Sequence, residues 1–254
     1  MLISVSELKN IYGCNPSGVL HVGAHLCEEA VEYEKFKWLP CYWVEANQTL
    51  LAAAKSNMNN SSKNHFFYEG VVWEKSGEKI QFNITNNFQS SSVFEMGIHK
   101  ELYTDVFVNL VEERITTTLD DLIPDDSFFD FINLDIQGAE LNAIKGLGSR
   151  IANINWIYTE VNKKKLYKNI YLVKDIDDYL SLYGFKRIAT YWLPGVGWGD
   201  ALYIKEGIAK YSKLRQIKIF YRELKYNYLS EFRLSTLIRF SKKIVKIILR
   251  YKKA

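Results

Sequence analysis

Residues 129–147 read FDFINLDIQGAELNAIKGL, and this stretch decides the fold. Apolar side chains fill 129–134 with few interruptions, and the run closes on an acid, Asp135. A short apolar run bounded by a turn reads as a strand buried on both faces. Gly138 bends the chain, Glu140 opens the next element, and 139–147 reads as a helix. A buried strand feeding a helix through a glycine turn is half of a βαβ unit.

The same alternation extends outward. Upstream, Val19–Val22 is a strand, 28–38 a helix, Cys41–Glu45 a strand, 48–58 a helix with Asn47 as its cap, and His65–Glu69 a third strand. Downstream, 154–161 is a strand, 173–183 a helix, and 185–191 and 200–205 form a closing pair joined by WLPGVGWG. The expected fold is α/β and Rossmann-like, with a mostly parallel sheet and an antiparallel terminal hairpin. Residues 70–128 break the rhythm. A strand fits 79–84, but 85–97 (TNNFQSSSVFEMG) is polar, long, and still carries Phe88, Val93, Phe94 and Met96 to bury. Long loops of this kind are usually functional, and this one reads as a lid or substrate loop.

Composition sets the class. The chain has 254 residues, 48% hydrophobic and 24% charged, which excludes disorder along its length. Its three cysteines, Cys14, Cys27 and Cys41, form no CxxC pair, so neither a disulfide framework nor structural zinc is expected. The opening MLISVSELKN carries Glu7 and Lys9 and does not read as a secretory signal. No stretch is apolar enough to span a membrane. A cytoplasmic location is the expectation, with attachment to the inner membrane surface as a variant of it.

The net charge of +4 hides a split. Residues 206–254 carry 14 Lys and Arg against three Glu, a net of +11, while 1–205 carry a net of −7. The expected division is therefore a domain over 1–205 and a basic amphipathic helical tail over 206–254, with helical periodicity in 208–226 and 232–251. Such helices either pack on the domain or a partner subunit, or lie on an anionic lipid surface.

Ligands of open α/β sheets sit beyond the carboxyl ends of the strands. The first strand ends in HVGAHLCEE, where Gly23 permits a tight turn but the remaining glycines of G-x-G-x-x-G are missing. Glu28 and Glu29 stand where a pyrophosphate would bind, and no P-loop follows. A nucleoside ligand without phosphates fits better, and S-adenosylmethionine is one. Glu45, about 20 residues past the glycine turn, has the spacing of a ribose acceptor. Glu69 and Gly70 close the third strand as candidates to flank the adenine. Asp135 closes the fourth, and Glu160 and Asn162 close the fifth. Acidic strand ends converging on one edge raise one another's pKa and are typical of sites.

HVGAH, WVEAN, FINLDIQGAELNAIKG, IYTEVN and GWGDALYIK, in that order, resemble the FkbM-type methyltransferases over roughly residues 16–206. The resemblance implies a class I methyltransferase fold, S-adenosylmethionine as cofactor, and methylation of hydroxyl oxygens, often on sugars. It implies Gly23, Ala24 and His25 against the methionine part, Glu45 with Ala46 at the ribose, and Asp135 near the transferring methyl. One departure from the family pattern is Cys27, which stands where a second glycine is usual; its small side chain beside the cofactor is expected to alter affinity rather than abolish binding. A hydroxyl acceptor needs a base or a metal. Asp135 is the first candidate base and His99 the second, with Glu160 completing the catalytic set; a divalent metal stays open. Ser90, Ser91, Ser92, Gln137, Asn162, Trp198 and Asp200 form the candidate acceptor set. The acceptor is expected to be a carbohydrate or glycoconjugate, and self-association is left open. The competing functions are a nucleic-acid methyltransferase using the tail, opposed by a site loop without basic residues, and a non-catalytic scaffold of the same fold.

Overall fold

The computed structural model describes residues 1–58, 62–208, 211–224 and 226. The described strands are, in chain order, β1 (Val19–Val22), β2 (Cys41–Glu45), β3 (His65–Glu69), β4 (Val71–Val72), β5 (Lys79–Thr85), β6 (Val108–Thr117), β7 (Phe131–Leu134), β8 (Trp156–Asn162), β9 (Phe185–Trp192) and β10 (Trp198–Lys205). Seven of them form one sheet in the order β3-β2-β1-β7-β8-β10-β9. Neighbours run parallel except at β10, which is antiparallel to both β8 and β9. The stretch 129–147 supplies the centre of this sheet, as its sequence predicts, and the terminal hairpin is antiparallel.

The central strands are buried on both faces because each face is covered by helices. Leu20, Val22, Ile132 and Leu134 enter one apolar cluster, while Val19 and Phe131 enter the other. His21 and Asn133 lie in register on this second face, so both are buried strand residues. The crossover helices include Ala30–Phe36, Gln48–Asn57, Glu140–Lys145 and Val173–Ser181. The Asn47 side chain accepts from the N–H groups of Thr49 and Leu50 and caps the second of these. The first begins later than the sequence predicts, because His25 and Cys27 have φ of 48° and 60° and hold 25–29 out of the helix.

The segment 70–128 corrects the single expected strand. It holds a second sheet of order β4-β6-β5, with β5 antiparallel to β6 and β4 parallel to it. The longest member, β6, escapes a sequence reading because Leu110, Val111 and Ile115 are exposed and Glu112, Glu113 and Arg114 interrupt the alternation. The loop that follows β5 is pinned by a bridge between Asn83 and Ser92.

Among the described residues of the tail, helix Lys213–Leu224 packs on the domain. Arg222 pairs with Glu7, Tyr226 stacks on Tyr191 with ring centroids 4.4 Å apart, and Ile219 joins the cluster around Tyr12. These contacts seat the helix against the domain. The expected helix over 232–251 lies outside the described residues. A chain ending at residue 206 should lose about 2–4 kcal/mol, since each apolar side chain it uncovers is worth about 1.5–3 kcal/mol when fully buried; calorimetric melting against the full chain checks this. The stretch beyond 226 holds eight Lys and Arg against one Glu. If it binds lipid, the full chain pellets with anionic vesicles and a chain ending at 226 does not.

Candidate active site

A cavity of about 570 Å³ opens at the carboxyl ends of β1, β2, β7 and β8, within the roughly 300–1,000 Å³ usual for ligand sites. Its position follows from the sheet. The chain leaves β1 and β7 side by side and turns away in two loops, which leaves a crevice.

The β1 turn lines this cavity through Gly23, Ala24 and His25. Gly23 has φ of 86°, and a Cβ there would stand 1.9 Å from the carbonyl oxygen of Asp135. The glycine is therefore demanded first by the contact of the two turns and only then by a ligand. Cys27 is buried in an apolar cluster and is absent from the cavity wall. Its backbone is left-handed, with φ of 60°, and its side chain lies in the core.

Glu45 ends β2 at the wall, nearly buried. Its Oε2 accepts from the His25 N–H at 2.9 Å and its Oε1 from the Asn47 N–H at 2.8 Å. Burial pushes its pKa up, while these bonds and the nearby His25 act the other way. Each carboxylate oxygen has a second lone pair for another donor. Ala46 and Gly70 border the cavity beside Leu50, Val71 and Val72. Glu69 does not, because it is drawn off into an ion pair with Arg114 at 2.7 Å.

The turn after β7 is braced from within. Glu140, buried, accepts from the N–H groups of Ile136 and Gly138 at 3.1 and 3.0 Å. Asp135 is exposed at the cavity wall, and its Oδ1 accepts from Gln137 Nε2 at 2.9 Å. The same Nε2 donates to Glu160 Oε2 at 3.1 Å. Glu160 lines the cavity and is buried, and Asn162 stands behind it, donating to its Oε1 at 3.2 Å. Asp200 also reaches the wall, accepting from the Leu2 N–H at 2.6 Å and from the Tyr158 hydroxyl. It faces the site rather than capping the hairpin.

The 85–97 loop closes the far side. Ser90 and Ser91 line the cavity, whereas Ser92 is buried and donates to the carbonyl of Gln137 at 2.8 Å. His99 is no solvent-facing loop residue. It is 5% exposed, lines the cavity, and packs against Tyr103 and Tyr167 with ring centroids 4.7 and 5.2 Å away. Burial lowers its pKa, which favours the neutral ring, and its Nδ1 has no partner. Trp198 lines the cavity and donates from Nε1 to the Tyr103 hydroxyl at 3.1 Å. Trp192 lies elsewhere, beneath the ammonium of Lys163. The tyrosines 103, 158 and 167 are the functional neighbours that the sequence reading missed. Tyr103 and Tyr167 stand among polar loop residues, whereas Tyr158 lies within β8 and reads as core.

The wall carries Glu28, Glu29, Glu45, Asp135, Glu160 and Asp200, and among the described residues no Lys or Arg. Burial, with the charge of Asp135 added, pushes Glu140 up to about 7 and Asp200 up to about 6. Glu160 is pushed well above the usual carboxylate range by burial first and then by Asp135, Glu140 and Asp200. Among the described residues no three His, Cys, Asp or Glu side chains are grouped to hold a metal ion, so the acids present do not fit one.

Residues 21–187 match the Methyltransferase FkbM domain, and the chain belongs to that family. It is an S-adenosylmethionine-dependent methyltransferase. No curated protein sequence matches it. Similar solved structures include a magnesium protoporphyrin IX methyltransferase from Synechocystis PCC 6803 with bound SAM, at 10% identity and TM-score 0.41 over 74% of this chain and 69% of that one. Another is a putative tRNA (m1A22) methyltransferase of Streptococcus pneumoniae, at 12% identity and TM-score 0.44 over 94% and 82%. A third is a TehB-like SAM-dependent methyltransferase from Corynebacterium glutamicum, at 10% identity and TM-score 0.42 over 79% and 86%. Likeness at this level decides neither cofactor nor acceptor. The cavity itself fits the methyl donor: a carboxylate at the end of β2, apolar walls beyond it, no phosphate-binding cation, and the unpartnered Oδ1 of Asn133 at the wall.

The buried acids give a stability signature. Glu140, Glu160 and Asp200 bind protons more tightly folded than unfolded, where their pKa values are near 4. The folded chain then carries more protons than the unfolded one between about pH 4 and 7, so stability falls as pH rises through that window. Thermal melts should show the highest melting temperature near pH 5 and a decline towards pH 8. Glu140→Gln should flatten the decline, because Gln still accepts both backbone bonds; a flat wild-type profile would refute the assignment. Separately, Glu45→Ala should weaken binding of S-adenosylhomocysteine at least tenfold by calorimetry, the loss of about 1.5–3 kcal/mol expected for a charge-assisted hydrogen bond.

Proposed function

We propose that the chain O-methylates a hydroxyl of a carbohydrate, in a polysaccharide, a lipid-linked glycan or a glycosylated metabolite. The observation that carries this is the charge of the cavity wall: carboxyl groups, serine hydroxyls and aromatic rings, with no Lys or Arg among the described residues. An uncharged polyhydroxylated acceptor can enter such a site. A phosphate-bearing strand would meet six carboxyl groups there and no Lys or Arg among the described residues, which disfavours the nucleic-acid reading.

In this reading Glu45 accepts the ribose hydroxyls of the cofactor, and Gly23, Ala24 and His25 border its amino-acid end. The bound cofactor supplies an electrophilic methyl group on a positive sulfur. Asp135 takes the proton of the acceptor hydroxyl at Oδ2, the oxygen that Gln137 leaves free. An exposed carboxylate at the strand end can reach the acceptor, whereas Glu160, buried and held by two amides, stays in a supporting place. His99, neutral and unpartnered at Nδ1, is the second group able to bond the acceptor. Ser90, Ser91 and Trp198 border the acceptor end and orient its other hydroxyls. Holding the reactants in line lowers the barrier by several kcal/mol. The basic sequence beyond 226 serves, in the same reading, to keep the enzyme on an anionic surface where lipid-linked acceptors lie.

The test is transfer of label from methyl-labelled cofactor to a panel of neutral oligosaccharides, glycolipids and RNA. Label on the neutral glycans supports the proposal, and label on RNA alone defeats it. Asp135→Asn should bind S-adenosylhomocysteine within about twofold of the parent yet lose about 10²–10⁴-fold in turnover, the usual contribution of a general base. Turnover within a few-fold of the parent would move the role to His99.

A further inference from the structure

Gln137 holds a backbone conformation that residues other than glycine seldom adopt, with φ of 53°, and Gly138 follows at 105°. Its carboxamide and its main-chain carbonyl are engaged within the protein. Nε2 donates to Asp135 Oδ1 at 2.9 Å and to Glu160 Oε2 at 3.1 Å. Oε1 accepts from the Tyr167 hydroxyl at 2.8 Å, and the main-chain carbonyl accepts from Ser92 Oγ at 2.8 Å. These partners fix which way the carboxamide points, since carboxylates only accept and the phenol has a proton to give. With its amide so occupied, Gln137 has little left for an acceptor sugar, although it lines the cavity.

Tyr167 and Ser92 belong to the two loops over the cavity. Tyr167 is bridged to Met96 and packs with Met96, Leu166 and Ile170. The turn itself abuts the same loops: a Cβ on Gly138 would lie 2.5 Å from Ile170 Cγ2 and 3.3 Å from Phe94 Cδ2. The β7 turn, the 85–97 loop and the loop after β8 therefore meet at one residue.

We propose that Gln137 is a positioning residue that couples the seating of these two loops to the orientation of Asp135. The inference rests on the reading of Asp135 as base. With the loops seated, Tyr167 holds Oε1 and the amide turns both hydrogens to the carboxyl groups. Asp135 then keeps Oδ1 engaged and Oδ2 free for the acceptor. With the loops lifted, the carboxamide loses its anchor, and Asp135 and Glu160 face each other without the shared donor. An acceptor that seats the loops thereby aligns the base.

The test uses the full chain with S-adenosylhomocysteine bound. The side-chain carboxyl carbons of Asp135 and Glu160 are followed by carbon-13 NMR in Tyr167→Phe and Gln137→Met, Asp135 being assigned by its loss in Asp135→Asn. Tyr167→Phe removes one hydroxyl, which bonds Gln137 and the Ser90 carbonyl and does not touch Asp135. The expected result is that it nonetheless displaces the Asp135 resonance, in the same direction as Gln137→Met. An Asp135 resonance unmoved in Tyr167→Phe overturns the coupling, and this variant serves even if Gln137→Met fails to fold. With the best acceptor from the labelled panel, kcat of Tyr167→Phe should fall about tenfold to a hundredfold, as misplaced catalytic groups do, with KM within about twofold. If Asp135→Asn stays active, the base reading fails by itself. If Asp135→Asn is inactive while Tyr167→Phe keeps full kcat, only the coupling fails.

Discussion

The contact on which the site depends is between two turns. Gly23, after the first strand, lies against the carbonyl of Asp135, after the fourth, so closely that no side chain fits between them. This contact keeps the two central strands in register to their very ends, and the cavity opens directly beyond it. A buried carboxylate completes the junction. Glu140 takes the N–H groups of Ile136 and Gly138, which the turn would otherwise leave unpaired in the interior. Local backbone needs thus place an acid where burial and Asp135 both raise its pKa.

That placement has a cost that stability alone does not justify. Glu140, Glu160 and Asp200 are buried near Asp135, and among the described residues no Lys or Arg lines the cavity beside them. Buried acids crowded together weaken a fold, and they cluster where a site needs them. A cofactor bearing a positive sulfur would relieve part of that strain when bound.

The loops over the cavity are held differently from the sheet. The β strands rely on two large apolar clusters, whereas the 85–97 loop rests on a small cluster around Met96, Leu166, Tyr167 and Ile170 and on a few hydrogen bonds. A region with few buried contacts opens at lower free energy than the core. The 85–97 loop is therefore held less tightly than the sheet, and Gln137 is where its hydrogen bonds reach the acids.

Much of this was legible in the residues. Short apolar runs ending in acids gave the parallel sheet, the strand ends, and Glu45, Asp135 and Glu160 at the cavity, because strand periodicity and turn chemistry are local. The resemblance of the motifs to the FkbM family agreed with the match over residues 21–187. What stayed hidden depends on contacts far apart in sequence. Glu69 left the site because Arg114, 45 residues away, lies within reach of it. His99 became buried because Tyr167, from the loop after β8, closes over it beside its own helix neighbour Tyr103. The strand Val108–Thr117 could not be read because its exposed faces carry apolar and charged residues in no strict alternation. Cys27 lies in the core with a left-handed backbone, which the sequence does not announce. Sequence alone determined which groups stand at the ends of strands, since alternation and turns are short-range. Only the tertiary structure decided which of those groups face one another, since that depends on loops meeting across the sheet.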